Sequence, residues 1–201
     1  YCSCLAAAFA LKWDDRTTAD RLYTGTRVMA EEKMELDFQR IFSCYRIKRL
    51  TGEDVDEILA LCKGNADYYR YMNSEPSPEN IRDDLSALPP GKTMDDKFFI
   101  GFCMENRLIA VMDLIAGFPS GDTAYIGLFM LDKDFKGTGM GSGIIQELLS
   151  FLKKQGFRCV RLGCIRENLI GRKFWLKNGF CYTGVETQRD DYTVMHMQIS
   201  L

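Results

Sequence analysis

The chain has 201 residues, of which 46% are hydrophobic and 27% charged, with only five prolines. This composition excludes a collagen-like or wholly disordered chain, and the length predicts one sizeable core. A net charge of −2 excludes the basic surface that binds nucleic acid, and the apolar runs are too short to cross a bilayer. Neither nucleic acid nor a membrane is therefore an expected partner.

The cysteines and the single histidine limit the chemistry that the chain can perform. Six of the eight cysteines are scattered among apolar residues, where a free thiol packs as a small hydrophobic group. This usage predicts a reducing, cytoplasmic location. Cys2 and Cys4 are the only close pair, and His196 is the only histidine, so neither a metal site nor a serine–histidine–aspartate triad is expected.

The first elements follow from capping signals. Residues 1–43 mix small apolar residues with charge clusters and are predicted to be an N-terminal extension, partly helical and of unknown role. Residues 44–201 are predicted to form the folded domain, which begins with an alternating strand at 45–50. Thr51-Gly-Glu-Asp54 has the pattern of a capping box and predicts a helix, and Ser77-Pro78 predicts the start of a second helix.

The remainder alternates apolar runs with turn residues. Three antiparallel strands are predicted at 98–104, 108–116 and 123–131. A glycine-rich segment and a helix to about residue 155 come next. A strand at 159–164, a helix at 169–177 and strands at 180–186 and 192–201 complete the chain. This order predicts an α/β fold with a mixed, mostly antiparallel central sheet of about seven strands and one parallel crossover.

The glycine-rich segment, Phe135-Lys-Gly-Thr-Gly-Met-Gly-Ser-Gly-Ile-Ile, directly precedes an amphipathic helix. A helix N-terminus exposes unpaired N–H groups at the positive end of the helix dipole, and glycines let the main chain approach an anion closely. We therefore favour a phosphate-binding loop over a merely flexible one. The segment is no P-loop, because no lysine follows the glycines. It also fails the dinucleotide fingerprint, because Ser142 or Ile144 stands where the last glycine is required.

Two segments carry a family resemblance. Lys136-Gly-Thr-Gly-Met-Gly141 resembles the Q/R-x-x-G-x-G/A signature of the GNAT superfamily of N-acetyltransferases, with Lys136 in place of the usual Gln or Arg. Asn168-Leu-Ile-Gly-Arg-Lys-Phe-Trp-Leu-Lys-Asn-Gly-Phe180 resembles the second signature of that superfamily, in the family order. The resemblance covers about residues 44–201. It implies an acyl-CoA N-acyltransferase fold with helices on both faces of the sheet.

The resemblance also implies a reaction and a coenzyme site. The acetyl group of acetyl-CoA, a co-substrate, is expected to pass by direct attack to a primary amine of a small molecule or a protein. The main chain of Phe129, Met130 and Leu131 is expected to pair with the pantetheine arm like an added strand. The expected pyrophosphate loop comprises Lys136, Gly137, Thr138, Gly139, Met140, Gly141 and Ser142. Asn168 is expected to bond the pantetheine or acyl region, and Arg172 or Lys173 either meets the outer phosphate or is solvated.

A general acid is harder to assign. The superfamily often has a tyrosine where this chain has Trp175, and an indole N–H is no useful acid. Tyr182 is therefore predicted as the acid, with Tyr125 and Tyr192 as alternatives. Each of these three is also explained as a packed aromatic side chain.

Two further groups complete the predicted site. Asp113 lies in an apolar strand, where desolvation would raise its pKa to suit a general base. Strand alternation gives the alternative that Asp113 faces solvent or bonds a main-chain N–H. Tyr68, Tyr69 and Tyr71 are expected to line the acceptor pocket and to contact an amine through their rings, or else simply to pack.

Other functions remain open on the sequence alone. A module that senses acyl-CoA without turnover would account for Trp175, and a transferase could use a longer acyl donor such as succinyl-CoA. The sequence specifies neither the acceptor nor the oligomeric state, and a homodimer stays open.

Overall fold

Seven strands form one mixed sheet in the computed structural model, which describes residues 36–201. In chain order the elements are β1 Arg46–Arg49, α1 Val55–Lys63, α2 Ala66–Arg70, α3 Pro78–Ser86, β2 Lys97–Met104, β3 Arg107–Ala116, β4 Thr123–Leu131, α4 Met140–Lys154, β5 Cys159–Ile165, α5 Leu169–Lys177, β6 Cys181–Gln188 and β7 Thr193–Ser200. The strand order is β1-β2-β3-β4-β5-β7-β6, and only β4 and β5 run parallel. The predicted fold class is therefore confirmed.

The predicted capping signals are present at the first long helices. The Thr51 hydroxyl accepts a hydrogen bond from the Glu53 N–H, and the Asp54 carboxylate accepts one from the Thr51 N–H at 2.8 Å. A single 3-10 turn then leads into α1. At α3, the Ser77 hydroxyl accepts from the Asn80 N–H at 3.1 Å, and a proline is the first helical residue. The short helix α2 was not predicted.

The sheet separates two apolar clusters. Helices α4 and α5 cover the larger cluster, to which α4 contributes the buried side chains Ile144, Ile145, Leu148 and Leu152. Burying one such side chain contributes about 1.5–3 kcal/mol. Helices α1 and α2, with Ile81 of α3, cover the second cluster on the opposite face. Among the helices of residues 36–201, none combines the length and the apolar character that crossing a membrane requires.

The packed core begins before the predicted domain boundary. Leu36, Phe38 and Phe42 are buried in the larger cluster. The Phe38 ring meets the Phe98 ring edge-on with centroids 5.3 Å apart. The boundary that we predicted at residue 44 thus falls inside the packed unit. The rest of the predicted extension, residues 1–35, lies outside the described residues.

Candidate coenzyme and acceptor site

The parallel strands β4 and β5 separate part-way along their length. They pair only from Thr123 opposite Cys159 to Ile126 opposite Leu162, although β4 continues for five further residues. Beyond this point β4 remains paired with β3, and β5 remains paired with β7. The sheet therefore opens between β4 and β5, on the free edge of β4.

A bulge lies where the opening begins. Asp113 of β3 stands opposite Leu128, whereas the next residue of β3 stands opposite Ile126, so Gly127 is an extra residue on β4. Such a bulge bends a strand and changes the direction of its main-chain groups. The Asp132 N–H donates to a β3 carbonyl at 2.7 Å. Along a strand, the N–H and C=O groups of successive residues point to opposite edges. Because the Asp132 N–H points to β3, the main-chain groups of Phe129 and Leu131 point to the other edge, into the opening.

Asn65 fixes the far end of β4. This side chain is buried, and its Nδ2 donates to the Leu131 carbonyl at 3.2 Å and to the Leu61 carbonyl at 3.0 Å. It therefore ties the C-terminal end of α1 to the last residue of the open strand edge. No short-range sequence signal indicated this role, since the contact spans 66 positions.

The glycine loop exposes main-chain donors at the start of α4. Gly137 and Gly139 have φ values of 78° and 91°, in the left-handed region that favours glycine. Among the residues that the structure describes, no group accepts a hydrogen bond from the N–H of Gly137, Thr138, Gly139, Gly141 or Ser142. Five donors thus lie within six consecutive residues at the positive end of a helix dipole. This arrangement suits a pyrophosphate group.

Gly141 has a second role in packing. It is buried, and a Cβ atom there would lie 3.3 Å from the Phe174 ring and 3.6 Å from the side chains of Leu131 and Phe129. The absence of a side chain lets the first turn of α4 approach both β4 and α5. The glycines of the loop are therefore not equivalent, since Gly137 and Gly139 have open space around the Cβ position.

Asn178 links the end of α5 to the beginning of α4. Its buried side chain donates from Nδ2 to the Ser142 hydroxyl at 3.2 Å and to the Phe174 carbonyl at 2.8 Å. Its Oδ1 accepts from the Gln146 side chain at 3.3 Å. In the sequence, Asn178 indicated only a helix end. Its contacts show that it also positions the helix that carries the glycine loop.

Replacing Asn178 by alanine is expected to lower the free energy of unfolding by about 1–3 kcal/mol, because it leaves buried polar groups unsatisfied. It is also expected to weaken coenzyme A binding. Urea unfolding and calorimetric titration measure the two effects. Ser142→Ala is the matched control for the Asn178–Ser142 contact alone. Unchanged affinity in the folded Asn178→Ala variant would contradict the positioning role.

Asn168 and Arg172 hold the beginning of α5. Asn168 Oδ1 accepts from the Gly171 N–H at 2.8 Å, so Asn168 is the N-cap of this helix. Arg172 Nε donates to the Tyr182 hydroxyl at 2.7 Å, and Nη1 donates to the Arg166 carbonyl at 3.1 Å. Lys173 is exposed. The predicted coenzyme contacts of these residues stay predictions.

Trp175 belongs to the core. It is 8% exposed and packs against the rings of Phe174 and Phe180, with centroids 5.0 Å and 5.1 Å away. Its ring also lies 6.2 Å from that of Phe129 on β4. The Trp175 indole therefore packs against the open part of β4 from the side of α5.

Asp113 is enclosed in a buried ion pair. Its side chain is 0% exposed and that of Lys97 is 1% exposed, with 2.8 Å between Asp113 Oδ2 and Lys97 Nζ. Burial raises the pKa of Asp113 to about 6, although Lys97 lowers it. Within residues 36–201, the second carboxylate oxygen has no hydrogen-bond partner. The alternative that Asp113 faces solvent is thus wrong, and the carboxylate is directed at Lys97.

The predicted acid and base lie on opposite faces of the sheet. Tyr182, on β6, packs partly against the larger cluster beneath α5. Asp113 alternates with Val111 and Ile115 on the other face, which α1–α3 cover. The two side chains therefore do not approach one thioester together, and their catalytic roles stay predictions.

The predicted acceptor tyrosines gather beside the opening. Tyr69 is buried in the second cluster, and Tyr68, Tyr71 and Tyr192 pack against it. The same cluster contains Leu128 and Met130 of β4 and Ile165 of β5, on the two sides of the opening. Of the phenols that we considered as acids, Tyr192 is the one that the structure brings to these tyrosines.

The chain matches known proteins over most of this architecture. The Acetyltransferase (GNAT) family profile matches residues 58–180, and the chain belongs to this family. An uncharacterized N-acetyltransferase of Methanocaldococcus jannaschii is 24% identical over 153 residues, which cover 72% of this chain. The chain spans 64% of the length of that curated relative.

Solved structures show the same fold. An acetyltransferase from Thermus thermophilus is 17% identical with a TM-score of 0.64, covering 78% of this chain and 97% of its own. The PaiA N-acetyltransferase from Thermoplasma acidophilum, solved in complex with coenzyme A, is 21% identical with a TM-score of 0.53. That match covers 76% of this chain and 97% of the other.

Proposed function

We propose that the chain transfers the acetyl group of acetyl-CoA to a primary amine of a small molecule or a protein. The observation that carries this proposal is the opening between β4 and β5 beside five unpaired amides at the start of α4. An open strand edge and an anion-binding loop together suit a ligand with an amide-containing arm and a pyrophosphate. Family membership supports transfer of an acyl group.

The residues present fit coenzyme A by main-chain chemistry. The Phe129 C=O and the Leu131 N–H point into the opening, where they can bond the amides of a pantetheine arm, whereas the Leu131 C=O already accepts from Asn65. The N–H groups of Gly137 to Ser142 offer donors to the pyrophosphate, and Lys136 adds an exposed positive charge. The contacts with the strand edge and the loop use main-chain groups and therefore need no particular side chain. They do need glycine at Gly137 and Gly139, whose φ values lie in the left-handed region.

Acetyl-CoA supplies, when bound, an acyl group activated as a thioester. The chain would hold the carbonyl of that group near the Phe129 N–H, where a fixed donor stabilises developing negative charge. Tyr68, Tyr71 and Tyr192 border the side from which an amine would approach. Their rings can shield a cationic amine from water and contact it before its proton is lost.

Proton transfer requires groups that can reach the amine and the departing thiolate. Asp113 is directed at Lys97 rather than at a cavity, and a base must lie within hydrogen-bond reach of the proton that it accepts. Arg172 donates a hydrogen bond to the Tyr182 hydroxyl oxygen, so the phenolic proton remains available for transfer. We retain Tyr182 as a predicted acid and regard the Asp113–Lys97 pair as structural.

Two measurements test the proposal. Calorimetric titration of coenzyme A into the pure protein should release heat, and thiol release from acetyl-CoA should rise with an accepted amine in a broad panel. Comparison of acetyl-CoA with succinyl-CoA on that amine tests the acyl length. Tight binding with no thiol release across the panel would instead support an acyl-CoA sensor, the function that buried Trp175 leaves open. The absence of coenzyme binding would contradict both.

A further inference from the structure

Arg107, the first residue of β3, contacts the segment that joins the open strand β4 to the glycine loop. Its Nη2 donates to the Asp132 carboxylate at 2.6 Å and to the Asp134 carboxylate at 2.8 Å. Its guanidinium carbon also lies 5.7 Å from the centroid of the Phe135 ring. One side chain thus contacts three residues of the segment that directly precedes Lys136. The proposed acetyl transfer does not itself use this arginine.

The segment that Arg107 contacts is a single 3-10 turn, Lys133–Phe135, with Asp132 as its N-cap. Asp132 Oδ1 accepts from the Asp134 N–H at 2.9 Å, while the Asp132 N–H donates to the Ile109 carbonyl of β3 at 2.7 Å. Asp132 is therefore tied both to the sheet and to the turn. A 3-10 turn of this length makes few and poorly aligned hydrogen bonds of its own, so its order depends on side-chain contacts.

A second set of contacts joins this turn to α4. The Thr138 hydroxyl donates to the Phe135 carbonyl at 2.7 Å and accepts from the Met140 N–H at 3.3 Å. Met140 is the first residue of α4. Phe135, which lies against Arg107, is thus linked through Thr138 to the N-terminus of the helix. The amides that are proposed to bind the pyrophosphate lie between these two fixed points and just beyond them.

Arg107 also neutralises two carboxylates next to the proposed pyrophosphate site. Asp132 and Asp134 bond the same nitrogen atom, and their negative charges would repel each other without it. Although burial raises the pKa of Asp132, hydrogen bonds from the Asp134 N–H and from Arg107 lower it overall, so this carboxylate is charged at neutral pH. Without Arg107, both negative charges would stand directly before the amides that are proposed to bind an anion.

The exposure of these groups decides where their effect is largest. The side chains of Arg107 and Asp134 are each 53% exposed, and an ion pair at such a position contributes little to the stability of the fold. Binding of an anion by a loop depends more strongly on order, because several N–H groups must point to one ligand before it arrives. Loss of Arg107 should therefore change affinity more than stability.

We propose that Arg107 is a positioning residue for the coenzyme, which fixes the turn before the glycine loop and cancels the charges of Asp132 and Asp134. This inference rests on the proposed function, because the ligand of the loop is the pyrophosphate of coenzyme A. Arg107 acts through the loop and not on the reacting atoms. Coenzyme affinity therefore depends on this side chain, whereas the transfer step does not.

Arg107→Gln tests the inference in a calorimetric titration with coenzyme A. We expect the Kd to rise about tenfold, while kcat at saturating acetyl-CoA stays close to that of the parent. Arg107→Lys keeps the positive charge and should recover part of the affinity. The double variant Arg107→Gln, Asp134→Asn removes one of the two repelling charges and should also bind more tightly than Arg107→Gln.

Arg49→Gln is the matched structural control. Arg49 Nη2 donates to the carbonyls of Met94 and Lys97 at 3.1 Å and 2.8 Å, and its guanidinium carbon lies 5.5 Å from the Phe98 centroid. It thus makes the same kinds of contact as Arg107, but from β1, three strands away from β4. Arg49→Gln should lose thermal stability to a similar extent and keep the parent affinity. Equal losses of affinity in the two variants would overturn the inference.

A measurement without coenzyme separates the inference from the proposed function. Relaxation of the amide nitrogens in the free protein gives order parameters for residues 137–142. We expect these to fall in Arg107→Gln and to stay at the parent values in Arg49→Gln. A protein that shows this difference but binds no coenzyme A would contradict only the proposed function. A protein that binds and transfers, with unchanged affinity and order parameters in Arg107→Gln, would contradict only the inference.

Discussion

Replacement of Gly139 by valine is expected to weaken coenzyme A binding by about a hundredfold. Gly139 has a φ of 91°, a conformation that costs a β-branched residue roughly 1–3 kcal/mol. The loop will relax to other main-chain angles, and the neighbouring N–H groups will then no longer point to one anion. A hydrogen bond to a charged group contributes about 1.5–3 kcal/mol, so the loss of one or two accounts for this magnitude.

Gly156→Val provides a closely matched control. Gly156 follows the other end of α4 with a φ of 90°, and both glycines have open space at the Cβ position. The two variants should therefore lose similar amounts of thermal stability, whereas only Gly139→Val should lose affinity in calorimetric titration. An equal affinity for coenzyme A in parent and Gly139→Val would show that the loop does not hold the pyrophosphate.

Lys97→Met is expected to lower the free energy of unfolding by about 3–5 kcal/mol, because it leaves the Asp113 carboxylate buried without its cation. The double variant Lys97→Met, Asp113→Leu removes both charges and should recover most of this loss. Urea unfolding near neutral pH measures both. If the single variant were as stable as the parent, the pair would not be a buried ion pair.

The pH dependence of stability is a further readout for the same pair. The folded pKa of Asp113, about 6, lies above the unfolded value of 3.8. The folded state therefore holds the proton more tightly, so the stability from this group is fully present below about pH 4 and is lost as pH rises to about 6. Asp113→Asn should remove this decline. A decline that persists unchanged in that variant would assign it to other groups.

The double variant also decides the role of Asp113 in catalysis. If it folds, binds coenzyme A and retains thiol release with an accepted amine, then Asp113 is no general base. If it folds and binds but has lost turnover, the prediction made from the sequence is supported. This comparison separates stability from chemistry, which the single Asp113→Asn substitution does not.

Much of the fold was predictable because its signals are local. The alternation of apolar residues and the positions of turn residues predicted the strands. The limits predicted for β4 and α5 agree with the structure. Contacts between distant segments were not predictable. Lys97 is a diagonal neighbour of Asp113 across β2 and β3, and a register shift between Phe102 and Cys103 lies in the hairpin that joins them. Counting back from the turn would therefore misplace the pair.

The residues of the candidate site also divide into those with a local sequence signal and those without one. The glycine loop has a local sequence signal because its proposed chemistry uses the main chain of consecutive residues, and its binding of a pyrophosphate stays a prediction. Asn65 and Asn178 were not, because each acts on a segment far away in sequence. The burial of Phe38 and Phe42 was missed because a 3-10 turn gives too short a pattern to reveal its apolar side.

The short parallel pairing has a consequence for how the two halves of the sheet stay together. Only four register positions join β4 to β5, as few as join the edge strand β1 to β2, so this seam is the shortest pairing in the interior of the sheet. The amide hydrogens of Phe129 and Leu131 face this seam without a partner on another strand. They should therefore exchange with deuterium much faster than the amide hydrogen of neighbouring Met130. A ligand lying along the seam would slow that exchange and so report occupancy residue by residue, with no chemistry taking place.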